Sequence, residues 1–99
     1  MIEHLVVVKA KPGMDAQVSD ILAEFAQKAA NLPGLLEITA GPNFHRRSQE
    51  LGVTHGLLVR FIDRDSLEAY QVHPLHSDLL PHLSDTCLER VVLDWEVAV

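Results

Sequence analysis

Short runs of β-branched and leucine residues alternate along the chain with longer segments in which apolar residues recur every three or four positions. The short runs predict β-strands over residues 2–9, 35–40, 53–62 and 91–97. The first long segment predicts a helix over residues 15–30, because its apolar side chains share one stripe: Met14, Val18, Ile21, Leu22, Phe25 and Ala29. A second helical region begins near Asp63 or Asp65. The polar stretch 44–52 is predicted to be a loop.

Two prolines divide the second helical region. Pro74 disfavours helical geometry in the residue before it and is favoured in the first turn of a helix. One short helix should therefore end near Tyr70, and a second should carry His76 in its first turn, so that both side chains enter the same space. A break is predicted near Leu80, because Pro81 lacks the amide hydrogen that a continuous helix uses. The buried side of the second helix is expected to contain Leu75, Leu79, Leu80, Leu83 and Leu88.

The element order β-α-β-β-α-β predicts a single α+β domain over residues 1–99 with a ferredoxin-like plait, an antiparallel sheet that carries both helices on one face. The first and third strands are apolar on both faces, yet the helices cover only one. An apolar surface of this size is rarely left exposed. A second copy of the chain is the simplest cover, so we expect a symmetric homodimer with its sheets packed face to face and a ligand space between them.

Composition and charge narrow the classes of partner. The 99 residues are 47% hydrophobic and carry a formal net charge of −6 at pH 7. This charge disfavours nucleic acid and anionic membranes as partners. The chain has no apolar run of membrane-spanning length and no signal-peptide pattern, so we expect a cytoplasmic protein. Cys87 is the only cysteine, which excludes a disulfide within one chain and fits a reducing compartment.

Candidate catalytic side chains are concentrated in residues 70–76, which hold one tyrosine and two histidines within seven positions. An imidazole has an ordinary pKa of about 6.5, so His76 suits a general base near neutral pH, and the phenol of Tyr70 suits a donor to a developing oxyanion. His4 and His55 lie on the same sheet face, where each is a candidate hydrogen-bond partner of the other. His73 is a candidate cap for the helix that follows it.

Two other interpretations of these residues remain open. The histidines and the tyrosine can be core residues that merely satisfy their hydrogen bonds. A zinc site with three histidines is a further possibility, but the proline between His73 and His76 disrupts a shared helical face, and the sequence shows no acidic second shell. We therefore expect no metal. No nucleotide-binding or nucleophile-elbow motif is present.

Several stretches resemble the stress-responsive α/β-barrel family, often called Dabb, and together they span essentially the whole chain. Weaker matches are His4-Leu5-Val6-Val7-Val8-Lys9, Lys11-Pro12-Gly13, Gly41 with Asn43, Thr54-His55 and Val91-Val92-Leu93-Asp94-Trp95. The specific match is Leu67-Glu68-Ala69-Tyr70-Gln71-Val72-His73-Pro74-Leu75-His76. The resemblance implies a dimeric α+β barrel.

The resemblance also implies a reaction and residue roles. Family members from plants that are similar to this chain are polyketide cyclases, which close an aldol ring without metal or cofactor. By this resemblance His76 is the catalytic base, Tyr70 assists it, and His4, His55 and His73 bind the substrate. The implied ligand is small and apolar, aromatic or polyketide-like.

The family also contains stress-induced proteins without assigned chemistry. A non-catalytic stress-response or small-ligand-binding protein is therefore the alternative function. A cofactor-free monooxygenase on the same fold, with Trp95 or His55 near the substrate, is a third possibility that rests on fold analogy alone.

Overall fold

Four strands form one antiparallel sheet in the computed structural model, which describes residues 1–98. The strands are β1 (Ile2–Ala10), β2 (Leu35–Pro42), β3 (His55–Phe61) and β4 (Cys87–Glu96). Their order across the sheet is β2-β3-β1-β4, so the first strand lies between the third and the fourth. This is the ferredoxin-like α+β fold that the pattern predicted.

The helices are α1 (Asp15–Ala29), α2 (Arg46–Glu50), α3 (Arg64–Gln71) and α4 (Pro74–Thr86). Helices α1 and α4 pack against each other on one face of the sheet, and α3 joins them there. Within residues 1–98, none of these helices is long and apolar enough to cross a bilayer.

The core lies between the helices and one face of the sheet. Alternation along β1 buries one set of its side chains against the helices: Ile2, His4, Val6, Val8 and Ala10. Helices α1 and α4 bury their apolar stripes against this face with Val18, Leu22, Phe25, Ala29, Leu79 and Leu83. Removing this apolar surface from water is the main stabilising contribution, at about 25 cal/mol per Å². His4 is the polar exception on β1 and marks the site described below.

No helix within residues 1–98 covers the opposite face of the sheet. Strand pairing aligns its apolar side chains across three strands, and we call the set the open sheet face: Leu5, Val7, Leu58, Val91, Leu93 and Trp95. Leu93 is 49% exposed and Trp95 is 45% exposed. Arg60 bridges Glu3 and Glu37 at one end of this face, with nitrogen–oxygen distances of 2.7 and 3.0 Å.

The break predicted near Leu80 is wrong, because α4 is continuous from Pro74 to Thr86. Pro81 lies on the exposed side of this helix, and so does Ser77, whose carbonyl loses its hydrogen bond to position 81. Water can hydrate that carbonyl, so the helix tolerates the proline without ending.

Two further predictions differ from the structure. The polar stretch 44–52 is not only a loop, since it contains α2, in which Arg46 and Arg47 both pair with Glu50. Leu88 is not on the buried side of a helix. Strand β4 begins at Cys87, earlier than predicted, and leaves Leu88 68% exposed.

Gly34 supports the helix that carries Tyr70, and its replacement should weaken the fold. Its φ is +77°, and a Cβ at this position would lie 2.0 Å from Oγ of Ser66 in α3. We expect Gly34→Ala to lower the free energy of unfolding by the cost of left-handed backbone, about 1–2 kcal/mol, plus the cost of displacing Ser66. Urea unfolding followed by circular dichroism measures this loss.

Gly13→Ala is the matched control for backbone strain alone. Gly13 has φ +80°, but a Cβ there would meet no atom within 4 Å. This variant should lose only the strain contribution. Equal losses for the two variants would contradict the close approach between Gly34 and α3.

Candidate active site

The junction between α3 and α4 places the two central side chains of the site. Tyr70 lies in the last turn of α3, and His76 lies in the first turn of α4, as the proline pattern predicted. His73 is the N-cap of α4, and its ring Nδ1 accepts a hydrogen bond of 3.1 Å from the amide of Leu75. Pro74 takes the first helical position, where its missing amide hydrogen costs nothing. The chain therefore turns sharply between the two side chains.

Tyr70 is the centre of an aromatic cluster and is 3% exposed. Its ring centroid lies 5.0 Å from that of Phe61 on β3 and 6.1 Å from that of Phe25 on α1. The imidazoles of His4 and His76 lie 5.7 and 5.1 Å away, both with their rings steeply inclined to the phenol. Such edge-to-face contacts are favourable beyond simple burial. The phenol therefore fixes its two histidine neighbours in relation to each other.

His4 is anchored by a carboxylate on the neighbouring strand. Its Nδ1 is hydrogen-bonded to the carboxylate of Asp94, the residue directly opposite it on β4. An ionised carboxylate only accepts, so Nδ1 carries the hydrogen. The prediction that His55 is the partner of His4 is wrong. His55 pairs with Val8, four residues further along β1, so a shared face does not bring the two imidazoles together.

A cavity of about 290 Å³ opens beside Tyr70 and His76. It lies within one chain on the helix side of the sheet, and not on the open sheet face where we expected a ligand space. Its apolar wall consists of Val6, Leu57, Leu79, Leu80, Leu83 and Val92. Its polar wall consists of His4, Tyr70, Gln71, His76 and Arg90. An apolar cavity with a few convergent polar groups is the usual form of a small-molecule site.

The environment of the cavity shifts the pKa values of His76 and Tyr70 in opposite directions. Burial lowers the pKa of His76, and the nearby charges of His4 and Arg90 lower it further, while the carbonyl of Gln71 acts in the opposite direction. The Nδ1 atom of His76 is buried and has no hydrogen-bond partner within residues 1–98. Burial raises the pKa of the Tyr70 phenol, so this group stays protonated at neutral pH. The cavity thus presents a neutral imidazole beside a phenol that donates.

The structure brings together three of the five predicted site residues, namely His4, Tyr70 and His76. His55 is 1% exposed and lies in a different cavity, where it contacts Ser19 and Thr54. His73 uses its ring nitrogen to cap α4. Substrate binding by His55 and His73 stays a prediction. Within residues 1–98 the structure contains no cluster of three or more His, Cys, Asp or Glu side chains that fits a metal ion.

Sequence reasoning missed three polar residues of the site, namely Asp94, Arg90 and Gln71. The alternation along β4 places Arg90 and Asp94 on the same face as Val92, which is the face that the helices partly cover. Charged residues on that face of an edge strand were the available signal. Gln71 directly follows Tyr70 and carried no signal of its own.

The fold and this cavity define a class: a ferredoxin-like α+β domain with a histidine- and tyrosine-lined pocket beneath its helices. The model of the Stress responsive A/B Barrel Domain family, Dabb, matches residues 2–97. The chain belongs to this family.

Individual proteins similar to this chain differ in their named activities. Olivetolic acid cyclase from Cannabis sativa is 25% identical over 76 residues, which are 76% of this chain and 75% of that protein. A dimeric ferredoxin-like protein from a Jannaschia species is 29% identical with a TM-score of 0.84, over 97% of this chain and 98% of that one. The hydroxynitrile lyase of Passiflora edulis has a TM-score of 0.81 at 18% identity, over 98% of this chain and 93% of that one. This last similarity shows the fold alone.

Removing the charge of Arg90 should raise the pKa of His76. The guanidinium disfavours a second positive charge nearby, so Arg90→Leu makes protonation of the imidazole easier. Titration of the histidine side chains by NMR measures this, with the His76 signals assigned from their loss in His76→Ala. In the wild type, His76 should titrate below the ordinary histidine range.

Arg46→Leu removes an equal charge from the exposed helix α2, away from the cavity, and should leave the titration of His76 unchanged. An identical pKa of His76 in the wild type and in Arg90→Leu would contradict the placement of Arg90 on the cavity wall.

Proposed function

We propose that this chain is a cofactor-independent enzyme of the polyketide-cyclase type, which closes a carbon–carbon bond in a small, ketone-rich substrate. His76 is the base and Tyr70 is the hydrogen-bond donor. The observation that carries this proposal is the buried Nδ1 of the half-buried His76, which has no partner within residues 1–98 and belongs to a ring beside a protonated phenol in an apolar cavity. Each group is in the protonation state that its role requires.

The proposed reaction is an intramolecular aldol closure. His76 takes a proton from a methylene that lies between two carbonyls, which breaks a C–H bond and leaves an enolate. The enolate carbon attacks a second ketone carbon, which forms the ring bond and moves the carbonyl electron pair onto oxygen. Tyr70 donates its proton to that oxygen, and the imidazolium of His76 returns a proton to the phenolate. General acid–base help of this kind contributes about 10²–10⁴-fold, which suits a substrate as acidic as a poly-β-ketone.

His4 is the substrate-binding residue that the geometry supports best. Its Nδ1 is hydrogen-bonded to Asp94, which anchors the ring to β4. The ring also packs against Tyr70 and fixes the position of the phenol. His55 and His73 keep their proposed binding roles from the family resemblance, although neither lines this cavity.

The cavity itself limits the substrate. At about 290 Å³ it lies at the small end of the range of about 300–1,000 Å³ for ligand pockets. Leu79, Leu80 and Leu83 present a continuous aliphatic wall from one side of α4, which suits an alkyl or aromatic group. Arg90 forms no ion pair within residues 1–98, and its charge is available to an enolate or carboxylate oxygen.

The comparisons lend support in proportion to their similarity. Olivetolic acid cyclase matches three quarters of the chain, although only at 25% identity.

A non-catalytic small-ligand-binding protein remains the second candidate, because a pocket and a family do not by themselves require turnover. The monooxygenase hypothesis placed Trp95 or His55 beside the substrate. Trp95 lies on the open sheet face and His55 in another cavity, so nothing in this geometry favours it.

We further propose a homodimer formed through the open sheet face. Among residues 1–98 no helix covers the six apolar side chains of this face. The face also places Arg60 and two carboxylates at one end, where they can pair across a two-fold axis. The Jannaschia protein with 29% identity is dimeric.

We also propose a cytoplasmic location, because Cys87 is free and buried, which fits a reducing compartment.

Turnover of a linear poly-β-ketone tests the enzymatic proposal. With an alkyl ester of a 3,5,7-trioxoalkanoic acid, the wild type should accelerate ring closure to a cyclic alcohol. Loss of water from this alcohol and enolisation of the ring ketones give an aromatic product, which liquid chromatography follows. His76→Ala should lose about 10²–10⁴-fold in rate, and Tyr70→Phe about 10²–10³-fold.

His82→Ala is the matched control, because His82 is an exposed histidine on the same helix and lies outside the cavity. It should retain full activity. If the ester binds to the wild type but its ring closes no faster than in buffer, the chain is a binding protein and not a cyclase.

Disruption of the open sheet face tests the homodimer. Leu93→Asp places a charge at the centre of the face and should convert the dimer to a monomer, as measured by light scattering after size-exclusion chromatography. Val72→Asp changes an apolar side chain that is 80% exposed at the end of α3, away from this face, and should remain dimeric. A monomeric wild type would contradict the proposed interface.

A further inference from the structure

A second cavity, of about 370 Å³, lies at the other end of the helix-covered sheet face. It is bounded by the first turns of α1 and by the segment that joins β2 to β3. The residues of its wall that matter here are Asp15, Ser19, Asn43, Gln49, Thr54 and His55. None of the residues that line the cavity of Tyr70 and His76 also lines this one.

The hydrogen bonds around Thr54 fit a tautomer of His55 that carries its hydrogen on Nδ1. The amide of Ala10 donates to Oγ1 of Thr54 at 2.9 Å, and the Thr54 hydroxyl donates its single hydrogen to the carbonyl of Val8 at 3.2 Å. Nδ1 of His55 lies 2.8 Å from the same Oγ1. The amide of Thr54 also donates to the carbonyl of Val8, at 2.9 Å. With the hydroxyl hydrogen directed at Val8, Nδ1 is the donor in its contact with Thr54 and carries the ring hydrogen.

In this tautomer the other ring nitrogen of His55 is an acceptor. Oγ of Ser19 on α1 lies 2.8 Å from Nε2 of His55, and in this tautomer the serine hydroxyl is the donor. A hydroxyl that donates to Nε2 of a histidine whose Nδ1–H is held by a third group is the arrangement that activates a serine nucleophile. Ser19 is half-buried and lines the cavity, so a small molecule can reach it.

The charges near His55 favour transfer of a proton from Ser19 to His55. Burial lowers the pKa of His55, so the ring is neutral and able to accept a proton at neutral pH. The carboxylate and the carbonyl of Asp15 act in the opposite direction and favour the protonated ring. They therefore stabilise the imidazolium that forms when the serine gives up its proton.

We propose that Ser19 is a nucleophile that accepts an acyl group from a small neutral or cationic ester bound in this second cavity. His55 is its base, and Thr54 is a positioning residue. The carboxylate of Asp15 on the wall disfavours anionic esters. Oγ of Ser19 bonds to the ester carbonyl carbon while its proton passes to Nε2 of His55. The C–O bond to the alcohol then breaks, and the leaving alkoxide takes that proton.

Phenylmethanesulfonyl fluoride is the probe for this reactivity, because it forms a stable product by the same attack. The Ser19 oxygen bonds to sulfur, fluoride leaves with the S–F electron pair, and the proton passes through His55 to water. Peptide mass spectrometry of the wild type should find modification of Ser19 at least about 100-fold faster than of the exposed Ser84 in the same molecule, as expected for help from a general base. Equal rates at the two serines would overturn the proposal.

Variants then separate chemistry from folding. His55→Gln, if circular dichroism shows it folded, should slow modification of Ser19 by about 100-fold. Thr54→Val should slow it as well, whereas Thr54→Ser keeps the hydroxyl and should restore the wild-type rate. Modification that is equally fast in a folded His55→Gln, or in all three Thr54 proteins, would show that the network only holds α1 against β3.

Discussion

The packing of one buried phenol against the sheet holds the site together. Tyr70 ends α3, contacts Phe61 on β3 and Phe25 on α1, and lies beside the two imidazoles of the cavity. Because α4 begins only a few residues later, its first turn and His76 are placed by the same contact. Burial also sets the chemistry, since it keeps the phenol protonated and the imidazole neutral. One packing interaction thus determines the position and the protonation state of both groups, which general acid–base chemistry requires together.

The two faces of the sheet carry separate tasks. The helix-covered face holds both cavities, with His4 and His55 four positions apart along the ladder and therefore in different sites. The open sheet face is formed by aliphatic and aromatic side chains and has charges near its ends, which suits association with a second copy. Assembly through this face would leave the mouths of both cavities on the other side of the sheet. Binding and assembly can then occur in the same molecule without competing for surface.

Local rules predicted the fold well and the site in part. Hydrophobic periodicity located the strands and α1, and Pro74 located the junction that carries Tyr70 and His76, because both signals act within a few residues. The partner of His4 could not be predicted, since it depends on the register between β1 and β4, and a period of two does not distinguish registers that differ by two residues. For the same reason, the expectation that His55 is the hydrogen-bond partner of His4 was wrong. The break expected at Pro81 did not occur, because an exposed helix side lets water replace the lost hydrogen bond.

The most direct test of the site is the thermal stability of wild type and His76→Ala with a panel of aromatic, polyketide-like and fatty-acid compounds. A ligand cavity at Tyr70 and His76 predicts that several compounds raise the melting temperature of the wild type. His76→Ala should lose this response while its melting temperature without ligand stays close to that of the wild type. If no compound shifts the wild type and His76→Ala alone melts much lower, His76 is a structural residue, and the proposed active site is contradicted.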